Sequence, residues 1–410
     1  MKISIVSQWY DPETGSAGVP ASIARALVAR GHSVSVVTGF PNYPYGRIYP
    51  GYRVSWRASE VRDGVQVTRV PLYPSHEARA VRRMLSYLSF AVSAAVLGWS
   101  RLRRADVVLV YSTPATVVLP ALLVRWTARV PYVLLVQDLW PETVTASGFL
   151  PASLRTVVEA VLHPFCDLAY RFASAIAVTS PGMSDRILAR RVSRLAPVLV
   201  TNWADESIFG QREPRPEVVG SLGPWRPFTA MYAGSLGEVQ GVEVLIEAAE
   251  LLRDRDDVEL VVVGTGVLEA ELRRSVADRG LDNIRFLGQQ PLDVMPDLLQ
   301  RSDVQIVTLK DLPLFRLTLP SKIQVALAMG RPVVGAVAGD AADLLTAAGA
   351  GFVVPPGDAA ALARAVQRLA DLPAEQRAEL GRRGRSYYEE HLSERAGSAA
   401  IETMLLGAAR

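Results

Sequence analysis

A chain of 410 residues, half of them hydrophobic, is long for one domain and comfortable for two, with ample apolar surface for a core. A single cysteine, Cys166, excludes an internal disulfide and a cysteine-built zinc cluster, and it fits a reducing, cytoplasmic setting. The net charge of +3 conceals an asymmetry: up to Trp203 the chain has 22 basic and 11 acidic residues, and beyond it 22 and 30. A basic first half suggests an anionic partner, a membrane surface or nucleic acid. No nucleic acid is expected, because nothing resembles a DNA- or RNA-binding module. The first strand begins at Lys2, so no leader peptide is expected either.

Lys2–Ser7 reads as a short apolar strand, followed by a loop with Gly15, Ser16, Ala17 and Gly18, a helix ended by Gly31, and a strand over Ser33–Thr38. Strand, glycine loop, helix and strand make a Rossmann-like βαβ unit. It lacks G-x-G-x-x-G, so the glycines allow either close backbone approach to a phosphate or simply a tight turn. Residues 39–75 read as irregular, with strand candidates near Val54–Trp56 and Val65–Val70, and His76 follows as an exposed loop residue or a proton carrier.

Met84–Trp99 is an apolar run with Arg79, Arg82 and Arg83 before it and Arg101, Arg103 and Arg104 after it. It falls short of the roughly 20 residues of a spanning helix. A core helix and a helix lying in the membrane interface both fit; the flanking arginines favour a membrane surface contacted through residues 79–104. Strands follow at Val107–Tyr111 and Tyr132–Val136, with a helix over Val117–Arg125 between them. The second strand ends at Gln137-Asp138-Leu139-Trp140-Pro141-Glu142. Ligands sit outside the carboxyl ends of parallel strands, which places Asp138 and Glu142 for chemistry, unless Asp138 merely caps a helix. A helix over 153–172, a strand Ala175–Thr179, a helix Ser180–Arg190 and a strand Val198–Thr201 complete a first domain, 1–205.

Residues 206–226, rich in Gly and Pro, read as a linker, and 227–410 as a second βαβ domain. Here strand Thr229–Ala233 leads to Gly234-Ser235-Leu236, and strand Val258–Val263 to Gly264-Thr265-Gly266. Asp254 and Asp256 read as a solvated turn, and no metal site is expected. Near Leu309 another strand gives way to a loop with Lys310, Asp311, Phe315 and Arg316, then to a helix at Pro320-Ser321-Lys322 with Ser321 as its expected N-cap. Two of only three lysines fall here. A helix start with Arg316 before it and Lys322 on it suits an anion, because free N–H groups and two cations converge there. An ordinary strand–helix junction with solvated cations remains the alternative.

The stretches SQWYDPETGSAG, VQDLWPETVTASG, the TNW at 201–203, YAGSLGEVQG, VVVGTG, NIRFLGQQP and LKDLPLFRLTLPSK, in this order, resemble a GT-B-fold glycosyltransferase of family 4. The resemblance is to the branch of colanic-acid, O-antigen and L-fucosamine transferases, and it covers nearly the whole chain. It implies an α/β architecture of two Rossmann-like domains facing across a cleft, the last helix crossing back to the first. It implies transfer of a sugar, with retention and without a metal or other cofactor, from a UDP-sugar donor to a polyprenyl-diphosphate-linked acceptor on the inner face of the plasma membrane. Gly264, Thr265, Gly266 and Gln289 would then contact the nucleoside, and Gly234, Ser235, Leu236, Ser321 and Lys322 the diphosphate, with Phe315 nearby. Arg316 and Lys322 would stabilise the departing charge, Gly15, Ser16 and Ala17 would meet the sugar or phosphate, and Asp138 would face the acceptor. The family's Glu-x7-Glu positions hold Leu317 and Val325, which bears on donor affinity. A binding subunit without catalysis and an epimerase on the same fold stay open.

Overall fold

The computed structural model describes residues 1–75, 80–146, 152–193, 195–210 and 213–409, so His76 and Arg79 lie outside the described residues. The chain forms two compact units, Met1–Thr201 with Gly397–Arg410, and Asn202–Ala396.

In the first unit, β1 (Lys2–Val6), β2 (Ser33–Gly39), β3 (Ala58–Arg62), β4 (Val65–Val70), β5 (Val107–Ser112), β6 (Tyr132–Val136), β7 (Ala175–Val178) and β8 (Val198–Leu199) form one sheet. Their order is β3-β4-β2-β1-β5-β6-β7-β8. All neighbours are parallel except β3 and β4, which pair antiparallel across Asp63-Gly64. Both turn residues have positive φ, as a two-residue hairpin with the right twist requires. β5 and β6 are buried along their whole length, which is why they read as unbroken apolar runs rather than alternating ones. The strand expected near Val54–Trp56 is absent. The partner of β4 starts only at Ala58, opposite Arg69, and Trp56 is 81% exposed.

The apolar run after Arg83 is the helix Ala80–Leu97, followed by a short turn of helix at Trp99–Leu102. Its buried side carries Ser86, Phe90, Ala91, Ala94 and Ala95. At Gly98 a Cβ would come within 2.8 Å of a Val37 methyl, so glycine lets the helix end close on β2. No helix among the described residues is long and apolar enough to cross a membrane.

The second unit has six parallel strands, β9 (Phe228–Ala233), β10 (Val258–Val263), β11 (Ile284–Gly288), β12 (Val304–Thr308), β13 (Val333–Ala336) and β14 (Gly351–Val354), in the order β11-β10-β9-β12-β13-β14. The chain steps outward from β9 to β11, then returns to the other side of β9 with β12. That reversal opens a crevice at the carboxyl ends of β9 and β12, the usual place for a ligand in such sheets. In the first unit the corresponding reversal lies between β1 and β5.

The segment 206–226, read as a linker from its composition, is built into the second unit. Phe209 and Trp225 pack against its core, and Arg215 donates to the fully buried Asp297 at 2.7 Å. The division falls between Thr201 and Asn202 rather than after 205. Ala204 N–H donates to Tyr388 Oη, which donates in turn to Glu206, fastening the segment to the end of the helix Ala374–Tyr387 and the turn after it. Residues Gly397–Arg410 belong with the first unit instead, where Glu402 accepts from Arg30 Nε and lies 2.7 Å from His32 Nε2.

Candidate active site

In the second unit three loops leave the strand ends and lie on one another. Gly234 N–H donates to Val263 O, Gly264 N–H to Gly288 O, and Leu236 N–H to Thr265 O, at 2.8, 2.8 and 3.0 Å. Two glycines are obligatory here. A Cβ on Gly264, whose φ is +137°, would sit 2.0 Å from Gly234 O, and one on Gly266 would sit 2.3 Å from Leu236 O. The Gly264 bond to Gly288 sets Gln289, exposed on the bend after β11, beside this pair of loops.

Lys322 runs into the same place. It lies on the helix Ser321–Ala328, and a Cβ on Gly234 would meet its Cε at 2.1 Å and its Nζ at 2.6 Å. Nζ donates to Tyr232 Oη at 2.6 Å. Burial alone pushes the ammonium down to about 8, since a charge withdrawn from water is less easily kept. The sequence places Ser321 at the N-cap, but that position is Pro320, and Ser321 is the exposed first residue of the helix. Proline's φ, fixed by its ring, suits the approach to a helix, and its side chain offers no capping oxygen. The helix start therefore carries no side-chain cap.

Arg316 sits on the 3₁₀ turn Phe315–Leu317 with Phe315 half-buried beside it. Its guanidinium forks onto Asp311, at 2.6 and 2.7 Å, at an exposed position. An anion approaching Arg316 would have to displace that carboxylate, whereas no carboxylate among the described residues is bonded to the Lys322 ammonium. Val325 packs among core side chains, and its buried neighbour Gln324 has an Oε1 with no hydrogen bond among the described residues.

In the first unit Gly15–Gly18 is a short 3₁₀ turn, with Gly15 at positive φ and Ala17 buried. What fixes this loop is Glu13, absent from the sequence reading. Its buried carboxylate accepts from Tyr10, Asn42 and Tyr43 N–H, at 3.0, 2.7 and 2.7 Å. Burial raises its pKa, and the three amides oppose that rise. Asp138 stands after β6 and accepts from Thr113 Oγ1, after β5, at 2.9 Å. Burial raises the Asp138 pKa, against the Thr113 hydrogen bond, so the acid form persists to a higher pH than for an ordinary carboxyl. Asp138 caps no helix; the helix Glu142–Ala146 begins four residues later, with Glu142 held by Arg190 at 2.9 Å.

Two doubly wound units, one carrying glycine loops and a half-buried lysine at its strand reversal, make up the GT-B fold. Solved structures agree on the fold: HepE from Anabaena in complex with UDP and glucose (18% identity, TM-score 0.70, 99% of both chains covered) and the lipopolysaccharide glycosyltransferase WaaG (15%, 0.66, covering 98% of this chain and 99% of the other). The family "Glycosyl transferase 4-like domain" matches residues 14–203, and "Glycosyl transferases group 1" matches 227–371. The putative colanic acid biosynthesis glycosyl transferase WcaI of Escherichia coli is 27% identical over 336 residues, spanning 80% of this chain and 82% of that one. The probable glycosyltransferase WbjE of Pseudomonas aeruginosa is 26% identical, over 78% and 79%. The chain belongs to glycosyltransferase family 4, on the branch of the colanic-acid and O-antigen enzymes.

Proposed function

We propose that this chain moves a sugar, an N-acetylated amino or deoxy sugar, from a UDP donor to a polyprenyl-diphosphate-linked acceptor in bacterial cell-surface polysaccharide synthesis. The observation that carries the reading is the half-buried Lys322 pressed against Gly234, over loops that admit no side chain at Gly264. An ammonium bonded to a neutral hydroxyl rather than to a carboxylate keeps its full charge for a leaving diphosphate. As the bond from the anomeric carbon to the diphosphate oxygen breaks, negative charge grows on that oxygen, and Lys322 stabilises the transition state more than the bound donor. With retention, the acceptor oxygen bonds to the anomeric carbon on the face the diphosphate leaves, and the acceptor proton passes to the departing oxygen. No metal step is needed. The HepE complexes with UDP and with UDP-glucose support a uridine donor.

Asp138 orients the acceptor hydroxyl in this account. Asp138→Asn is expected to lower turnover about tenfold or more while leaving UDP affinity unchanged, as measured by steady-state kinetics and calorimetry. A parallel loss of UDP affinity would remove Asp138 from the acceptor role.

A lipid-linked acceptor requires a membrane-facing surface. The described exposed side chains of the helix Ala80–Leu97 are Val81, Leu85, Leu88, Val92 and Val96, all apolar and spaced along one face. Arg103 and Arg104 stand exposed beyond its end. This supports a helix lying on an anionic bilayer, with its apolar stripe in the acyl boundary. Val92→Glu is expected to weaken binding to anionic vesicles at least tenfold, since each such side chain contributes roughly 1.5–3 kcal/mol on burial. Unchanged sedimentation with vesicles would place the membrane contact elsewhere.

The function itself is tested by following UDP release and lipid-linked product with a panel of UDP-sugars. Product that requires the lipid establishes the transferase, and release without lipid product contradicts it.

A further inference from the structure

We propose that Tyr232 is the positioning residue of Lys322: its hydroxyl aims the ammonium at the space beside Gly234 and keeps it charged until a diphosphate arrives. The proposal rests on the reading of Lys322 as the diphosphate-binding lysine.

Tyr232 lies near the end of β9, with its ring buried in the core of the second unit. Its hydroxyl has one hydrogen, and that hydrogen goes to the Ser235 carbonyl at 2.7 Å. The oxygen lone pairs are then left for Lys322, whose Nζ donates to them at 2.6 Å and stands 4.1 Å from the ring centroid. The order of donors is thus fixed: lysine to phenol, phenol to carbonyl. One group ties the cation to the backbone of the Gly234–Leu236 loop. Burial pushes the phenol up, so it keeps its hydrogen wherever the enzyme works; burial pushes the ammonium down, and the hydroxyl that accepts from it opposes that fall. Among the described residues, no second charge holds the ammonium.

Two consequences separate this role from a packing role. Removing the hydroxyl deprives the charged lysine of its acceptor, so the lysine loses its proton at lower pH than before. It also frees the ammonium to turn away from the loop. A tyrosine that only supported the Ser235 carbonyl would do neither.

The test is calorimetry of UDP binding from about pH 6 to about pH 10 on the wild type, Lys322→Met, Tyr232→Phe and the double variant. In the wild type, affinity is expected to fall above about pH 8, with proton uptake on binding, because the bound diphosphate raises the lysine pKa. In Tyr232→Phe the fall is expected to begin about one pH unit lower, with about fivefold weaker binding at pH 8. In the Lys322→Met background, removing the hydroxyl is expected to change nothing. The proposal is overturned if Tyr232→Phe keeps the wild-type pH midpoint, or weakens UDP equally with and without the lysine. Should Tyr232→Phe not fold, a monofluorinated tyrosine at 232 keeps the shape and weakens the oxygen as acceptor. It must move the midpoint the same way, and an unmoved midpoint overturns the proposal. Wild-type affinity in Lys322→Met would instead defeat the diphosphate-site reading itself.

Discussion

Lys322→Met is expected to lower turnover of the UDP-sugar by about 10²–10³-fold, the scale of losing one preorganised group that faces developing negative charge. Loss of donor affinity should be smaller, because the ammonium interacts more strongly with the leaving diphosphate than with the bound one. The same substitution is expected to stabilise the protein. In the folded chain the lysine titrates at about 8 against 10.5 for an ordinary one, so burial opposes its charge. Between those values the unfolded chain holds more protons, and wild-type stability therefore rises with pH across that window. Below it the full cost of the buried charge is present. Methionine keeps the packing and has no charge to lose. Chemical unfolding at pH 7 should find Lys322→Met the more stable protein, with the gap closing as pH rises from about 8 towards 10.5. A less active protein that is more stable marks a residue kept for chemistry. Equal turnover, or lower stability with a flat pH profile, would assign Lys322 to the scaffold.

Gly264→Ala is the second large effect. At φ +137° any L side chain is strained, and here the new methyl carbon would lie 2.0 Å from the Gly234 carbonyl oxygen. Both partners are backbone at the ends of paired parallel strands, so neither can turn aside as a flexible side chain would. Separating them breaks the hydrogen bond from Gly234 N–H to Val263 O and moves the loop against which Lys322 lies. A stability loss of about 2–4 kcal/mol is expected, together with loss of UDP binding by more than about tenfold. Gly220, on the helix Pro216–Ser221, is the control: a Cβ there meets nothing within 4 Å, and Gly220→Ala should be neutral or slightly stabilising. Thermal unfolding and calorimetry on the two variants decide it. A benign Gly264→Ala would mean that the loops do not form the tight pair described.

Much of this was legible from the chain because it depends on local pattern. The buried strands of both sheets appear as short apolar runs, and the loops after β9 and β10 appear as glycines at strand ends. The residues that act through distant partners were not legible. Tyr232 in FTAMYA reads as one more buried strand residue; its bond to Lys322 joins positions 90 apart. Glu13, in a polar loop, carries no signal in the pattern, yet it gathers amides from Tyr10, Asn42 and Tyr43. Arg316 reads as a free cation because the turn that folds Asp311 onto it is invisible in the pattern. Composition misled at 206–226, where a few anchors, Phe209, Arg215 and Trp225, outweigh the glycines and prolines around them.

The most direct measurement is turnover with a defined lipid. Purified protein, vesicles containing a polyprenyl-diphosphate-linked sugar and a panel of UDP-sugars are incubated together, and UDP and lipid product are quantified. The account predicts that one donor gives UDP and elongated lipid in equal amounts, and that both vanish in Lys322→Met. UDP binding without release for every sugar, with the acceptor present, would contradict it and leave a nucleotide-sugar-binding protein with Val325 where the family's glutamate stands.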